Sequence, residues 1–424
     1  MTSPNGPILF NSTTGSDSAA SGLGPSVALI GSSAELDGTS TVDMSYDGVS
    51  LSSISVGDLL FCDTTSGRKF SVIASIDTIN ETITTDDTWG TESGVSWAVG
   101  GKRSTFDHAD SRLLFTSDAK AGFTIITESD QDLTSAILRG PYGTSYPYIT
   151  LGGSGSTLKT LTATGNFNCI TQAQNNSMLV YNLKFVGSAG NTSRGFDGGR
   201  AAIIKCQFGD DGAATNHRTA VASSVYSGGI QVRNTAMYGQ GASVSSGMGV
   251  HSTYYAAKGV SVFDCLIKDF YYGVYSNTNG FQLTRCIIQN ATIGTRGNNA
   301  FGVDSCIFSS ISSDAIVAVK TTYDEQWPIY QTGTVVFTRN IFCDVGGNVF
   351  NGSNTTSAFS ETELGYGDYV TCYLYNASGF TGITFPSVTL TADPFIDATN
   401  SDFNLNTSAG GGAVLRSTNY TLGE

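Results

Sequence analysis

Val262-Phe263-Asp264-Cys265-Leu266-Ile267 recurs 21 residues later as Leu283-Thr284-Arg285-Cys286-Ile287-Ile288, and 20 residues after that as Val303-Asp304-Ser305-Cys306-Ile307-Phe308. Working outward, Val232-Arg233-Asn234-Thr235-Ala236-Met237, Ile203-Ile204-Lys205-Cys206-Gln207-Phe208 and Val180-Tyr181-Asn182-Leu183-Lys184-Phe185 precede these copies, and Phe337-Thr338-Arg339-Asn340-Ile341-Phe342 follows them. Every copy is apolar at its first and sixth positions. The fourth column reads Leu183, Cys206, Thr235, Cys265, Cys286, Cys306, Asn340, at spacings of 23, 29, 30, 21, 20 and 34 residues. An irregular repeat with a fixed core is the signature of a stacked architecture.

Positions one and four differ by an odd number, so one strand of period two cannot point both inward. A bend must fall at the second and third positions. Two short strands meeting at a bend, repeated every 20 residues or more, describe one coil of a parallel β-helix. A third strand follows in register at Gly249-Val250-His251-Ser252, Gly273-Val274-Tyr275-Ser276, Ile293-Gly294-Thr295 and Ala315-Ile316-Val317-Ala318. Coils stack at about 4.8 Å, so equivalent side chains lie above one another. The column Cys206, Cys265, Cys286, Cys306 is then expected to be an internal ladder of reduced thiols. The longer repeats carry loops at residues 210–227, 239–248 and 320–333, and weaker coils are expected around Cys169 and Cys372.

Composition agrees with a turn-rich β chain. The 424 residues hold 51 Gly, 40% hydrophobic residues and only 13% charged ones, which argues against a helical protein. A net charge of −14 disfavours binding to nucleic acid. No apolar stretch is long enough to span a membrane, and the opening Met1-Thr2-Ser3-Pro4-Asn5-Gly6 lacks the features of an export signal, so neither membrane insertion nor Sec export is expected. The eight Cys are too sparse for a disulfide framework and show no zinc-type spacing.

Before the repeats, a Ser/Gly-rich leader or docking arm is assigned to residues 1–37, and a small antiparallel β module to 38–103. In that module Ile73-Ala74-Ser75-Ile76-Asp77 and Glu81-Thr82-Ile83-Thr84 read as a hairpin around Asn80. The solenoid is assigned to 104–390, opening with a short cap helix at Asp107–Phe115, and a C-terminal cap to 391–424. Open solenoid ends expose strand edges and need such caps.

The stacked motif, with the closing Asp393-Pro394-Phe395-Ile396-Asp397-Ala398 and Ser401-Asp402-Phe403-Asn404-Leu405-Asn406, resembles the right-handed parallel β-helix superfamily of pectate-lyase-like proteins. More narrowly it is similar to tailed-phage virion proteins of that fold: tailspikes, fibres and head decorations. The resemblance covers about residues 105–416 and speaks to architecture more than to activity. It implies a homotrimer in the virion, attached to other virion proteins through residues 1–103 and in contact with a bacterial surface polysaccharide. The alternatives are an extracellular location and a polysaccharide depolymerase or lyase of the same fold.

A glycoside hydrolase of this fold needs two carboxylates about 5–9.5 Å apart, and a lyase needs calcium-binding acids with an Arg or Lys base. No such set converges, and no catalytic residue, metal or cofactor is assigned. Asp264 and Arg285 share a column on adjacent coils and read as a surface ion pair, while Asp304 lies beside the bend with no acidic partner. Asp210-Asp211-Gly212 reads as a turn, and His108, His217 and His251 as structural or solvated residues. Binding is assigned to Tyr323, Asp324, Glu325, Trp327 and Tyr330 in one loop, and to Tyr271 and Tyr272, with Tyr254 and Tyr255 nearby. Aromatic faces beside carboxylates suit sugar stacking or a protein contact.

Overall fold

The computed structural model describes residues 8–12, 28–100, 105–106, 124–139, 149–172, 177–188, 192–223, 229–252, 260–276, 281–298, 301–319, 335–352, 371–381 and 386–418. The chain forms two compact units, Met1–Phe185 and Val186–Glu424. Its architecture is a parallel β-helix preceded by a small antiparallel barrel.

In the first unit, six strands close a barrel: Ala28–Asp37, Thr41–Asp43, Thr82–Thr85, Gly67–Asp77, Leu59–Thr64 and Thr91–Gly100, in that order around the sheet. Leu36, Val42, Leu60, Ile73, Ile83, Val95 and Trp97 fill its core. The hairpin around Asn80 forms as expected, with Ile76 opposite Ile83 and Asp77 opposite Thr82. The Asp77 carboxylate accepts from the Ile79 and Asn80 amides at 2.9 and 3.0 Å, which fixes the turn.

Two parts of the stretch assigned as a leader are structured. Ala28–Asp37 is a ten-residue barrel strand paired with Thr91–Gly100, and Ile8–Phe10 pairs in parallel with Ile125–Thr127. The register shifts on either side of Ala34 explain why the first of these escapes a period-two reading. Phe10 stacks on Phe106 at 4.2 Å. The expected cap helix at 107–115 lies outside the described residues.

The second unit contains the regular coils. Its first sheet holds the strands before the bend, from Arg200–Ile204 to Val335–Thr338; its second holds those after it, from Gln207–Phe208 to Ser387–Thr389. Its third runs from Arg194–Gly198 to Ser378–Thr381. All neighbours within each sheet are parallel, and the register stacks Ile203, Val232, Val262, Leu283, Val303 and Phe337 on one another. Phe208, Met237, Ile267, Ile288, Phe308 and Phe342 form the column at position six.

The bend is made by one left-handed residue per coil. Asn182, Lys205, Asn234, Asp264, Arg285, Ser305 and Arg339, the third residue of every copy, all have φ between +49° and +54°. The stack stabilises this conformation, because the bend amides of Lys205, Asn234, Asp264, Arg285 and Ser305 donate to the next coil, as in Asp264 N to Thr284 O at 3.1 Å and Arg285 N to Asp304 O at 3.0 Å. Position five continues the ladder toward the previous coil, with Ile287 N to Cys265 O and Ile307 N to Cys286 O at 2.9 Å.

Position four is thereby left with an inward amide that needs an acceptor. The side chain at position four of the next coil supplies it: Thr235 Oγ1 for Cys206 N at 3.3 Å, Cys306 Sγ for Cys286 N at 3.4 Å, and Asn340 Oδ1 for Cys306 N at 2.9 Å. After Leu183 in the first copy, the column is therefore occupied by Cys, Thr and Asn rather than by aliphatic residues. All eight cysteines are buried and unbridged.

The C-terminal segment lies along the flank of the second sheet. The hairpin Phe395–Asp397 with Asp402–Leu405 and the helix Gly412–Ser417 place Phe395, Phe403 and Leu415 against Ile307, Ile341 and Tyr373. Gln289 Nε2 donates to Ala398 O at 2.6 Å, and Tyr373 OH bonds Thr418 Oγ1 at 3.0 Å.

Candidate functional site: an aromatic strip on the third sheet

The third sheet begins at a tight corner. Gly249, Gly273 and Gly294 sit there on successive coils, and a Cβ on Gly273 would lie 2.5 Å from Gly294 O and 2.7 Å from Ile288 Cγ2. With Val250, Val274 and Thr295 buried next along the strands, the residue after each faces outward. The register then sets His251 on Tyr275 and Tyr275 on Arg296.

These side chains form one stacked run. The His251 and Tyr275 rings are 5.5 Å apart at 15°, and Tyr272 and Tyr275 are 4.9 Å apart at 19°. Tyr271 meets Tyr272 edge-on at 4.8 Å, and the Arg296 guanidinium lies 5.6 Å from the centre of the Tyr275 ring. Rings in these arrangements attract through their quadrupoles, and a guanidinium over a ring adds a cation–π contribution. All five side chains are half-buried, leaving ring surface open to solvent.

Burial, reinforced by the Arg194 charge, pushes the His251 imidazole down to about 4. His251 is neutral at pH 7, and its buried Nε2 has no hydrogen-bond partner. The buried Arg296 Nε also lacks an acceptor. Burial likewise pushes His217 down to about 4; its Nδ1 bonds Ser193 Oγ at 3.0 Å inside the unit.

Of the residues assigned to binding, Tyr271 and Tyr272 fall in this strip. Tyr323, Asp324, Glu325, Trp327 and Tyr330, with Tyr254 and Tyr255, lie outside the described residues. Sequence reasoning missed His251, Tyr275 and Arg296 as members, although aligning Gly249-Val250-His251 with Gly273-Val274-Tyr275 already places His251 and Tyr275 in one column.

The Cys206, Cys265, Cys286 and Cys306 column is internal, as its stacking implies. Burial pushes the Cys169 thiol up to about 12 and the Cys372 thiol up to about 11, so neither is a nucleophile at neutral pH.

The charged residues near the bends are engaged. Arg285 forks onto Asp264 at 2.6 and 2.8 Å. Asp304 accepts from Ser305 at 3.1 Å and Arg339 at 3.4 Å, and also from Thr338. Asp211 meets Lys268 at 2.9 Å, and its loop is stitched by Asn216, which donates to Asp210 O and Gly239 O. Among the described residues no group of three or more His, Cys, Asp and Glu is arranged to hold a metal ion. No helix among them is long and apolar enough to cross a membrane.

Fold and strip together define a class: a parallel β-helix with an antiparallel barrel before it and an aromatic, cation-edged face on one sheet. No protein-family model matches the chain, and no curated protein is similar to it in sequence.

Proposed function

We propose that the chain is a structural component of a tailed-phage particle, a tail spike, tail fibre or head decoration, attached through residues 1–103 and touching a bacterial surface polysaccharide with its β-helix. The observation that carries this reading is the use of carboxylates in the second unit. Asp197, Asp211, Asp264 and Asp304 each hold a Lys or Arg. Asp314 and Asp344 accept from Asn351 and Asn376 on the next coil, at 2.7 and 3.0 Å. Asp197 pairs within its own strand, whereas Asp211, Asp264, Asp304, Asp314 and Asp344 take partners from other coils and tie the stack in register, as a rigid structural part requires. Hydrolysis would need a pair of acids free to face substrate.

The barrel precedes the solenoid along the chain, an order compatible with attachment through residues 1–103. A homotrimer located in the virion is part of the proposal and rests on the resemblance of the repeat. Incubation with purified bacterial polysaccharides, following new reducing ends and the absorbance of unsaturated products, is expected to show no turnover. Turnover abolished by Asp264→Asn or Asp304→Asn would contradict the structural reading in favour of a depolymerase.

A further inference from the structure

We infer that the last coil is a self-association surface: the strand Ser387–Thr389 pairs antiparallel with the same strand of a second copy about a two-fold axis at Val388, joining two β-helices end to end. The inference goes beyond the role proposed above and does not depend on it.

The second sheet ends on Ser387–Thr389 and the third on Ser378–Thr381, and among the described residues no strand lies beyond either. Pro386 O accepts from Cys372 N at 2.9 Å and Leu390 N donates to Leu374 O at 2.7 Å, so these alternate residues turn toward the previous coil. The N–H and C=O groups of Ser387 and Thr389, between them, face out of the stack. All three residues of the strand are exposed, Val388 at 38% although it is apolar. The chain then leaves sideways, with Thr391 N bonded to Gly410 O in the segment that covers the flank.

An open edge is a template for another strand, and proteins guard such edges with charge, proline or a bulge. None of these guards is in place. Residues 369–392 hold no charged side chain, and the pairing of Cys372, Tyr373 and Leu374 with Ser387, Val388 and Thr389 runs without a shift. Pro386 adjoins the strand, but its carbonyl is turned to Cys372 rather than outward. At a net charge of −14 two copies repel where their acidic surfaces meet, and the uncharged end is where they can approach. The strand is also complementary to itself. A two-fold axis through Val388 sets Ser387 opposite Thr389 of the partner subunit, a pair that exchanges both N–H···O bonds, and brings the two Val388 side chains together between such pairs. A patch that contacts itself closes at two copies.

The test places Val388→Cys in the full chain, whose own cysteines are all buried. Directly opposed residues of a non-bonded antiparallel pair have Cβ atoms about 4.5–5.5 Å apart, near enough for a disulfide after a small shift. Diamide is therefore expected to convert Val388→Cys to a covalent pair of chains. Thr399→Cys, equally accessible but next to the Ala398 carbonyl that Gln289 holds several coils away, should cross-link at least about tenfold more slowly. In sedimentation equilibrium the mass of the unmodified chain should double with rising concentration over whatever side-by-side assembly it forms. The doubling should strengthen with salt, because screening relieves the acidic repulsion. Val388→Lys and Ser387→Pro should each raise the dissociation constant about tenfold or more, and Thr399→Lys should change it less than about twofold. Thermal unfolding of each variant reports whether it is folded.

Equal cross-linking of Val388→Cys and Thr399→Cys, or a doubling that Val388→Lys leaves intact, would overturn the inference. A mass that never doubles would also overturn it, and would leave the edge to a strand from a different protein.

Discussion

At the scale of single residues, the fourth position of each coil follows a rule that hydrophobicity alone does not supply. The Cys286 amide points inward and is accepted by Cys306 Sγ, so Cys306 is kept for its acceptor as well as its size. Cys306→Ser should stay close to the parent in stability, while Cys306→Val should lose about 1–3 kcal/mol by leaving a buried amide unpartnered. Denaturant midpoints of the three proteins check the order, which reverses the one transfer energies predict. The bend residue makes a similar test. Ser305 has φ +54°, so Ser305→Gly should be neutral or slightly stabilising, whereas Ser305→Val should cost about 1–2 kcal/mol. The bend was legible in the sequence because positions one and four, an odd number of residues apart, cannot both point inward from one strand. The acceptor role of position four was not, since it depends on which amide the left-handed residue turns inward.

At the scale of elements, coil stacking and corner packing set what each strand tolerates. Gly273 occupies a corner where a methyl group would meet Gly294 O and Ile288, and Gly273→Ala should lower stability by about 1–3 kcal/mol. Gly302, whose nearest neighbour to an added Cβ is Gln282 Cγ at 3.9 Å, should accept Ala with little change. The three-strand coil could be read from the repeat because its apolar columns keep their spacing while the loops absorb the irregularity. The barrel strand Ala28–Asp37 could not, because its Gly31-Ser32-Ser33 centre coincides with a register shift. Similarly, Asp393-Pro394-Phe395 reads as an ending, but its packing along the second sheet depends on Ile307, Ile341 and Tyr373, which the repeat places outward without naming their cover. For the strip, the aromatic residues were visible as composition; their joining with His251 and Arg296 required the register of the third sheet.

At the scale of the whole molecule, acid should loosen the fold through its buried histidines. His217 and His251 are held near 4 when folded against 6.5 for the free side chain, so the unfolded chain binds more protons between these values. Stability is therefore retained above about pH 6.5 and falls as pH drops toward 4, by on the order of 1–3 kcal/mol per histidine. His217→Gln should flatten that part of a stability-against-pH curve; an unchanged curve would contradict the assignment. The proposed trimer is expected in sedimentation of the full chain at micromolar concentration, and a stable monomer would count against it. The central claim concerns location, and buoyant-density banding of phage particles grown on the source's host, probed with an antibody to the chain, tests it most directly. The account predicts that the chain bands with intact particles in a fixed number of copies per particle; a chain found only free in the lysate, or on uninfected cells, would contradict it.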